Sequence, residues 1–381
     1  MYKETFNKLI EYCRKEDWQG YDPYDGLNSP LCQLLPPMKY ARIAWIQFFK
    51  RSPLNLRGLT GIKKGENPKG LALFVRALLL AFHATGEEQY RRDAEELLER
   101  LWALRTPGYG DRMCWGYNFD WQSRAFYVPK GTPSIVCTTF VAHAWLDHYE
   151  LFETESSLDA AFGACKFIFE DLNWYEQDDE ICFSYTPLDH SQVHNANLLG
   201  AELLARVYHH TGEEGLCRAA VEAARFSIAR QAADGSWPYG TAPFQSWIDS
   251  FHTGFNLISL DAVVRYCHMP SWQEALARGW QFYNLHFFLA DGTPKYYHNK
   301  LYPIDIHAAA QAMVTFARLE HLSSNTRERL ASVADWALSH MWDKEGYFYF
   351  QRLPRWTNKI PYMRWAQAWM AYALAVALFN R

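Results

Sequence analysis

Asn67-Pro68-Lys69-Gly70 opens a type of segment that occurs six times along the chain. In each copy a short polar and aromatic run precedes an apolar stretch rich in small residues, and successive copies start 64, 62, 58, 54 and 58 residues apart. A period near sixty is about twice that of the common short helical-hairpin repeats, so each unit has room for two long helices and a sizeable loop. The other five copies begin at Gly131-Thr132-Pro133-Ser134, Val193-His194-Asn195-Ala196, Phe251-His252-Thr253-Gly254, Asp305-Ile306-His307-Ala308 and Met363-Arg364-Trp365-Ala366.

Six helical hairpins in sequence predict an all-α fold, a closed (α/α)6 toroid with short β-hairpin loops at the mouth of a central funnel. The first helix of each hairpin is apolar nearly all round and should be an inner helix, whereas its partner is amphipathic and should lie outside. The predicted inner helices are 68–85, 133–153, 192–211, 250–267, 303–320 and 361–379. The predicted outer helices are 87–104, 156–171, 214–231, 271–287 and 325–341, with 3–15 closing the ring. The continuous repeat predicts a single domain over residues 1–381.

The repeat also shows in the hairpin turns. His83-Ala84-Thr85-Gly86-Glu87-Glu88 recurs two periods later as His209-His210-Thr211-Gly212-Glu213-Glu214. In each copy an apolar helix ends at Gly, a usual helix stop, and a charged helix begins at Glu-Glu. Phe152-Glu153-Thr154-Glu155 lies between the two and has the form of a degraded copy.

Composition and charge narrow the function classes. The net charge of −4 leaves no basic footprint, so nucleic acid is not an expected partner. The longest apolar run, near 71–82, is interrupted by Arg76 and is too short to span a bilayer. The first six residues lack the apolar stretch of a signal peptide. The eight cysteines are scattered without a C-x-x-C pair, which favours buried thiols in the cytoplasm over disulfides or a zinc site.

Aromatic residues are abundant in the segments that precede the inner helices. Because sugar rings have apolar C–H faces that stack on aromatic planes, a polar loop region rich in aromatics suits a glycan cleft. The alternative is that these side chains simply plug the top of the barrel. The aromatic residues that we expect to bind substrate are Trp115, Tyr117, Trp121, Trp237, Tyr239, Tyr297 and Trp365.

The inner helices of such a toroid run parallel, so their N-termini should meet at one mouth. Unpaired N–H groups and positive dipole ends converge there, which suits an anionic ligand. His194, His252 and His307 occupy nearly equivalent repeat positions and should face one cavity, although a lone His in an apolar helix is more often a satisfied core residue. They lack a paired local motif, so we expect no metal and no cofactor. The polar residues at or near these starts are Lys69, Lys130, His194, Asn195, Asp249, His252, Asp305, His307, Arg364 and Trp365.

Carboxylates in the same loops are candidates for a glycosidase acid and its base or nucleophile, which lie ~5–10 Å apart. Asp249 and Asp305 are also well placed to cap their helices, and Asp189 lies in a similar loop. Asp120 lies too far before its helix to cap it, so it should face the cleft or pair with Arg124. Among the loop carboxylates, Asp120 is therefore the first candidate for a catalytic role in hydrolysis.

A different chemistry fits the combination of His, Asn, Tyr and Arg. Uronate lyases and C5-epimerases remove the proton at C5, and they need a group that neutralises the adjacent carboxylate and a base such as His or Tyr. His194, Asn195, Tyr239, His252 and Arg364 can fill those roles. The sequence leaves this scheme and the carboxylate pair both open.

Two resemblances add to these patterns. Arg364-Trp365-Ala366-Gln367-Ala368-Trp369 is similar to a short stretch of unsaturated uronyl hydrolases, within the six-hairpin glycosidase-like superfamily. The stretches 115–124 and 126–133 resemble the VpsJ-type proteins of bacterial polysaccharide-biosynthesis loci. That resemblance implies a cytoplasmic role in capsule or exopolysaccharide production, without supplying a catalytic residue set.

These observations predict a carbohydrate-active enzyme that binds an oligo- or polysaccharide, with an acidic glycan favoured. Glycoside hydrolysis is the first hypothesis, and uronate lyase or C5-epimerase chemistry is the second. A third hypothesis is a non-catalytic glycan-binding or scaffold protein that keeps the cleft. An enzyme should depend on specific polar groups, whereas a binding protein should depend mainly on aromatic residues.

Overall fold

The computed structural model describes residues 1–34, 36, 38–124 and 126–379 and consists mainly of helices. A π-helix at Met363–Ala368 leads directly into the last helix. In chain order the α-helices are α1 (Tyr2–Lys15), α2 (Lys39–Arg51), α3 (Pro68–Thr85), α4 (Glu88–Ala103), α5 (Ile135–Phe152), α6 (Glu155–Glu170), α7 (His194–Thr211), α8 (Glu214–Ala229), α9 (Ser250–Tyr266), α10 (Gln273–His286), α11 (Ile306–Arg318), α12 (Thr326–Met341) and α13 (Trp369–Phe379).

The odd-numbered helices from α3 to α13 form an inner ring, in which each packs on the next and α13 packs back on α3. The even-numbered helices from α4 to α12 each pack on the outside of the preceding inner helix, and α1 packs on α13 as the sixth outer helix. The predicted (α/α)6 toroid is therefore confirmed, and its helices begin and end within a few residues of the predicted positions.

Glycine ends the first helix of two hairpins. Gly86 and Gly212 have φ values of 70° and 71°, and each donates its N–H to a carbonyl four residues earlier. At the degraded copy of the turn, Glu153 adopts the same left-handed conformation with φ 53°. A residue with a side chain is strained in that region. The turn nevertheless keeps its left-handed geometry at Glu153, where the glycine that this geometry favours is absent.

Short antiparallel strands lie in the loops between the hairpins. The β1–β2 hairpin carries Trp121 over the funnel, and β5 ends where α11 begins. The strands pair as β1–β2, β3–β4 and β5–β6–β7. Their bounds are β1 (Trp121–Gln122), β2 (Tyr127–Val128), β3 (Trp174–Gln177), β4 (Glu180–Phe183), β5 (Ile304–Asp305), β6 (Gln351–Arg352) and β7 (Thr357–Asn358).

A charged network joins the inner helices towards their C-terminal ends. Asp147 of α5 accepts hydrogen bonds from Arg76 of α3 at 2.7 Å and from Arg206 of α7 at 2.6 Å. Arg206 also pairs with Glu150, and Arg318 of α11 bonds the hydroxyl of Tyr372 in α13 at 3.1 Å. These contacts join neighbouring helices of the inner ring.

Within the described residues, α3 is the one helix that is long and apolar enough to cross a bilayer, judged by length and composition. Most of α3 is buried in the inner ring. All eight cysteines are free thiols, and six of them are buried.

Candidate functional site

A cavity of about 870 Å³ opens at the end of the ring where the inner helices begin. Its volume lies in the upper part of the range for small-molecule pockets. Every inner helix contributes a residue from its first turns, or from the π-helix that precedes α13, so the predicted convergence of helix N-termini is confirmed. These residues are Lys69, Val136, Asn195, His252, His307 and Arg364.

The cavity is lined by cations and by no carboxylate of the described residues. Lys69 and Arg364 lie deep, where both side chains are almost completely buried. Lys50, Arg124 and Lys300 contribute their side chains to the same lining. The arrangement favours a negatively charged ligand.

Aromatic side chains form much of the remaining wall. Tyr239 stacks on Trp247 with ring centroids 4.5 Å apart, and Tyr296 lies 4.5 Å from Tyr297. Five of the predicted aromatic residues line the cavity: Tyr117, Trp121, Tyr239, Tyr297 and Trp365. Residues that the sequence analysis did not select also line it: Tyr24, Phe119, Phe126, Tyr185, Phe244, Phe251, Phe255 and Tyr296.

Trp115 and Trp237 do not line the cavity. Trp115 is fully buried and donates its indole N–H to the carbonyl of Leu101 at 2.7 Å. Trp237 is 2% exposed and donates to the carbonyl of Ser227 at 2.8 Å. Both indoles point towards the outer helices and fill the core, so the prediction that they bind sugar is wrong.

His252 and Asp249 form a paired acid–base unit at the start of α9. Nδ1 of His252 lies 2.7 Å from Oδ2 of Asp249, and the Trp247 indole donates to the same oxygen at 3.1 Å. The other oxygen of Asp249 caps the helix by accepting the backbone N–H of His252 at 3.0 Å. Asp249 is 2% exposed and lies behind His252, whose ring lines the cavity. A carboxylate on Nδ1 fixes the tautomer that leaves Nε2 as the base.

His307 places another imidazole in the cavity wall, which His298 also lines. Its ring stacks between Phe251 and Trp369, with centroids 4.6 Å and 4.5 Å away. Both ring nitrogens are buried and have no hydrogen-bond partner among the described residues. Burial, with Lys69, Arg364 and His252 nearby, lowers the pKa of His307 well below its ordinary value. The ring is therefore neutral at pH 7 and has unused hydrogen-bonding capacity.

Asp305 supports the wall from behind and is fully buried. It caps α11 through the N–H of His307 at 2.9 Å and accepts from the Trp365 indole at 2.9 Å and from Gln351 at 2.6 Å. Burial raises the pKa of Asp305 to about 6. Asp305 therefore orients two residues that line the cavity without facing the cavity itself.

Lys69 is the buried cation without a counter-ion. Within the described residues its ammonium group makes no hydrogen bond, and it lies 4.0 Å from the centre of the Phe140 ring. Burial, and next to it the charge of Arg364, lower the pKa of Lys69 well below its ordinary value. Arg364, in contrast, forms a two-pronged pair with Asp22 at 2.6 and 2.8 Å. A bound anion would supply the partner that Lys69 lacks.

His194 is the predicted histidine that the structure places elsewhere. Its Nδ1 lies 3.2 Å from the Ser227 hydroxyl of the outer helix α8, and its neighbour Asn195 lines the cavity instead. His194 is the first residue of its helix, whereas His307 is the second and His252 the third. Each residue turns a helix position by about 100°, so this small offset directs His194 outward. The expectation that all three histidines face one cavity is wrong.

The buried, neutral state of His194 predicts a pH-dependent stability. Burial lowers its pKa to about 4 from the ordinary 6.5. Below about pH 6.5 the unfolded chain binds a proton there and the folded chain does not, so stability falls until about pH 4, by at most ~3 kcal/mol. Between about pH 7 and pH 4.5, the urea midpoint should change less in His194→Gln than in the parent. In His190→Gln, which removes an exposed histidine, the change should equal that of the parent. An equal difference in His194→Gln and the parent would contradict this assignment.

Asp120 lies outside the cavity lining. Its Oδ1 accepts the backbone N–H of Lys130 at 2.7 Å, which ties the β1–β2 hairpin to the following turn. No Asp120–Arg124 ion pair is present between these two described residues. Arg124 lines the cavity, whereas Lys130 is exposed outside it. The expectation that Asp120 faces the cleft or pairs with Arg124 is therefore wrong, and so is the placement of Lys130 in the cavity.

No group of three or more metal-ligating side chains is arranged for a metal ion within the described ranges. Asp189, the remaining loop carboxylate, accepts hydrogen bonds from the backbone and hydroxyl of Thr186 at 2.7 Å. Its role is to fold the loop that precedes α7.

No protein-family model matches the chain, and no curated protein matches it. The resemblance to VpsJ-type proteins therefore stays a prediction.

Solved structures share the fold at low sequence identity. Cellobiose 2-epimerase from Bacillus thermoamylovorans matches with a TM-score of 0.66 and 14% identity over 83% of this chain and 88% of its own. A GH76 α-mannanase from Bacteroides thetaiotaomicron matches with 0.62 and 11%, over 84% and 88%. An unsaturated glucuronyl hydrolase specific for heparin matches with 0.61 and 12%, over 99% and 95%. At such identities the likeness establishes the toroid fold.

Proposed function

We propose that the protein is a carbohydrate-active enzyme that removes the C5 proton of an acidic sugar, as a uronate C5-epimerase or lyase. The observation that carries the proposal is the His252–Asp249 pair, which faces a cavity lined by cations and, among the described residues, by no carboxylate. Aromatic residues in the wall suit the apolar faces of sugar rings.

His252 is the proposed catalytic base. Asp249 holds Nδ1 as the protonated nitrogen and stabilises the imidazolium that forms when Nε2 takes a proton. The C5–H bond breaks and its electron pair moves towards the adjacent carboxylate, giving an enolate-like state with two developing negative oxygens. Such charge needs fixed donors or cations in a site that excludes water.

Lys69 and Arg364 are the groups proposed to hold the substrate carboxylate. The Asp22 pair fixes the Arg364 guanidinium, and Lys69 has no competing partner among the described residues. An anion beside Lys69 favours the charged ammonium and offsets the effect of burial. Because the enolate carries more charge on these oxygens than the ground state does, the contacts strengthen in the transition state.

The imidazole of His307 favours epimerisation over elimination. His307 lines the same cavity and has both ring nitrogens free of other partners among the described residues. A bound carboxylate would offset the charges of Lys69 and Arg364 and raise the pKa of His307 towards its ordinary value. His307, once protonated, can then deliver its ring proton to C5. Delivery from the face opposite His252 inverts the centre and leaves His307 neutral, and exchange with solvent restores the starting protonation of both histidines. In a lyase the same carbanion would instead expel the group at C4.

Glycoside hydrolysis, the first hypothesis from the sequence, is less well supported by this geometry. It requires two carboxyl groups flanking the bond to be cleaved. Asp120 lies in the hairpin, and Asp249 and Asp305 lie behind the wall, where helix caps and side-chain hydrogen bonds occupy their oxygens. The similar folds include a sugar epimerase, a D-mannose isomerase and glycoside hydrolases, which supports a sugar substrate for this chain without selecting the reaction. The role in polysaccharide biosynthesis and the cytoplasmic location remain proposals from the resemblance.

The direct test is incubation of the protein with uronate-containing oligosaccharides in D₂O. An epimerase incorporates deuterium at C5, seen by NMR and mass spectrometry, without cleaving the chain. A lyase produces an unsaturated product that absorbs in the ultraviolet. Reducing ends formed with the addition of water, and no deuterium at C5, would overturn the proposal in favour of hydrolysis. Binding without turnover on any glycan would favour the scaffold hypothesis.

Replacing Lys69 by Met should weaken binding of an acidic oligosaccharide by ~10–100-fold, the range for a charge-assisted hydrogen bond. Binding of the carboxyl-reduced, neutral oligosaccharide should change little, since it lacks the anion. Calorimetric titration of both ligands measures the difference, and Lys130→Met, at an exposed site outside the cavity, is the matched control. Equal weakening for both ligands would refute an anion-specific role.

A further inference from the structure

The segment from residue 26 to residue 65 contains seven Lys and Arg residues and not one Asp or Glu. The whole chain has a net charge of −4, so the rest of it carries −11. A run of forty residues without a carboxylate is therefore a strongly positive region on a negative protein. The seven cations are Lys39, Arg42, Lys50, Arg51, Arg57, Lys63 and Lys64.

Helix α2, in the middle of this segment, lies outside the toroid and buries little of its surface. Ile46 and Phe49 are its two buried residues, and they anchor the helix to the 3-10 turn Asp25–Asn28. Tyr40, Ala44 and Phe48 are exposed. Residues spaced by four lie on one helix face, so this apolar face points to solvent.

Exposed apolar side chains are concentrated here. Of the thirteen large hydrophobic side chains that are exposed in the described residues, seven lie between residues 31 and 59. Concentrated exposed apolar surface marks an interaction site rather than ordinary surface composition. The seven are Leu31 (43% exposed), Leu34 (81%), Met38 (59%), Tyr40 (74%), Phe48 (49%), Leu54 (67%) and Leu59 (86%).

Several cations of the segment are free to meet a partner. Arg57 is buried in a pair with Asp25, and Lys64 pairs with Glu16. Lys39, Arg51 and Lys63 are exposed and form no ion pair within the part of the chain that the structure describes. We call the seven exposed apolar side chains together with these three cations the rim patch.

We propose that the rim patch docks the protein on an anionic lipid surface. Exposed aromatic and aliphatic side chains flanked by Lys and Arg, with no acidic residue among them, match the composition of helices that lie in the membrane interface. Apolar side chains enter the headgroup boundary while the cations meet lipid phosphates. A second copy of the chain would bring like charges together, which disfavours a symmetric dimer through this surface.

Docking would also set the direction of the funnel. Gln47 and Lys50 of α2 line the cavity, and Arg42 lies 4.5 Å from the ring of Tyr127 in the hairpin at its mouth. Helix α2, which carries part of the rim patch, therefore borders the entrance, so a docked protein would hold its cavity close to the lipid headgroups. The rim patch is separate from the residues of the proposed chemistry, so docking does not depend on that chemistry.

The test is co-sedimentation of the full chain with vesicles of phosphatidylcholine alone and with added phosphatidylglycerol. We expect binding to the anionic vesicles only, weakened by high salt. Phe48→Ser with Leu54→Ser, and separately Lys39→Glu with Arg51→Glu, should each weaken it by at least ~10-fold. Leu285→Ser and Arg327→Glu, at exposed sites on α10 and α12, are matched controls that should bind as the parent does.

The charge-reversal pair keeps the test decisive if the Phe48 variant proves unstable, because Phe48 packs on the rings of Trp45 and Phe49, whereas Lys39 and Arg51 are exposed and form no ion pair among the described residues. Absence of binding, or equal binding to neutral and anionic vesicles, would overturn the proposal. So would a dimer in solution that Phe48→Ser dissociates, since the patch would then join two copies. Capture of RNA instead of vesicles, lost in Lys39→Glu with Arg51→Glu, would likewise refute a lipid surface.

Discussion

His252→Gln should lower turnover of an acidic oligosaccharide by ~10²–10⁴-fold, the usual contribution of a general base. Gln fills nearly the same space and can still bond Asp249, but it cannot accept a proton at the pH of the assay. The folded state should change little, because His252 is part of the cavity wall rather than the core. Deuterium exchange at C5 and product formation should fall together, since both require removal of the same proton.

Asp249→Asn tests whether Asp249 acts by positioning His252 or only by capping α9. Asn caps helices about as well as Asp, so α9 should keep its start, while the amide NH2 that replaces Oδ2 no longer accepts the Trp247 indole N–H. The neutral amide, however, no longer favours a protonated Nδ1 or stabilises the imidazolium. Turnover should fall by at least ~100-fold, with a shifted pH profile that a merely structural change would not produce.

Two variants serve as controls for these experiments. Asp120→Asn should keep most of the activity, because Asp120 holds the turn at Lys130 outside the cavity. His83→Gln removes an exposed histidine at the far end of α3 and should have no effect. Full activity in His252→Gln combined with loss in Asp120→Asn would contradict the proposed base and restore the hydrolase hypothesis.

The ring could be predicted from the sequence because its cause is local and repeated. Each apolar stretch near sixty-residue spacing forms one inner helix, and Gly86 and Gly212 end two of them at the predicted turns. Once six hairpins close, the helix starts must converge, which is why residues chosen only by repeat position meet in one cavity. His252, His307 and Arg364 were predicted in this way.

Side-chain direction could not be predicted with the same certainty. A shift of one or two residues at a helix start turns the side chain by 100° or more, and helix boundaries read from sequence carry errors of that size. His194 consequently faces α8 while Asn195 faces the cavity. The prediction for Trp115 and Trp237 was wrong for a related reason. The sequence does not tell whether an aromatic residue in a loop lines a cleft or fills the core beneath it.

Contacts between distant parts of the chain could not be predicted from the sequence either. Asp22 and Arg364 are 342 residues apart, and the segment that holds Asp22 and Lys50 does not belong to the repeat. The position of Lys69 in the sequence did indicate a site, because a lysine at the start of an apolar helix must either be paired or bind a ligand. That it lacks a counter-ion could be known only from the structure.

Asp147→Ala should lower the free energy of unfolding by about 3–5 kcal/mol, since it leaves the buried Arg76 without a carboxylate partner among the described residues, whereas Arg206 keeps Glu150. Arg76 and Arg206 would then face each other with side chains 9% and 10% exposed. Chemical denaturation measures the loss, and exposed Asp159→Ala on α6 is the matched control, expected within ~0.5 kcal/mol of the parent. A loss below ~1 kcal/mol would show that water or other carboxylates already compensate the arginines.

A double variant and a pH series make the origin of this effect testable. Arg76→Met with Asp147→Leu should recover part of the loss, because apolar groups replacing a buried pair avoid the unpaired charge. Burial alone would raise the pKa of Asp147, but Arg76 and Arg206 outweigh it and hold the pKa well below its ordinary value. The stabilisation is therefore complete above about pH 4 and is lost as the pH falls further. The difference between the parent and Asp147→Ala should stay constant from about pH 5 to 8 and shrink only in stronger acid, whereas a difference that grew on acidification would rule out an ionised Asp147 as its source.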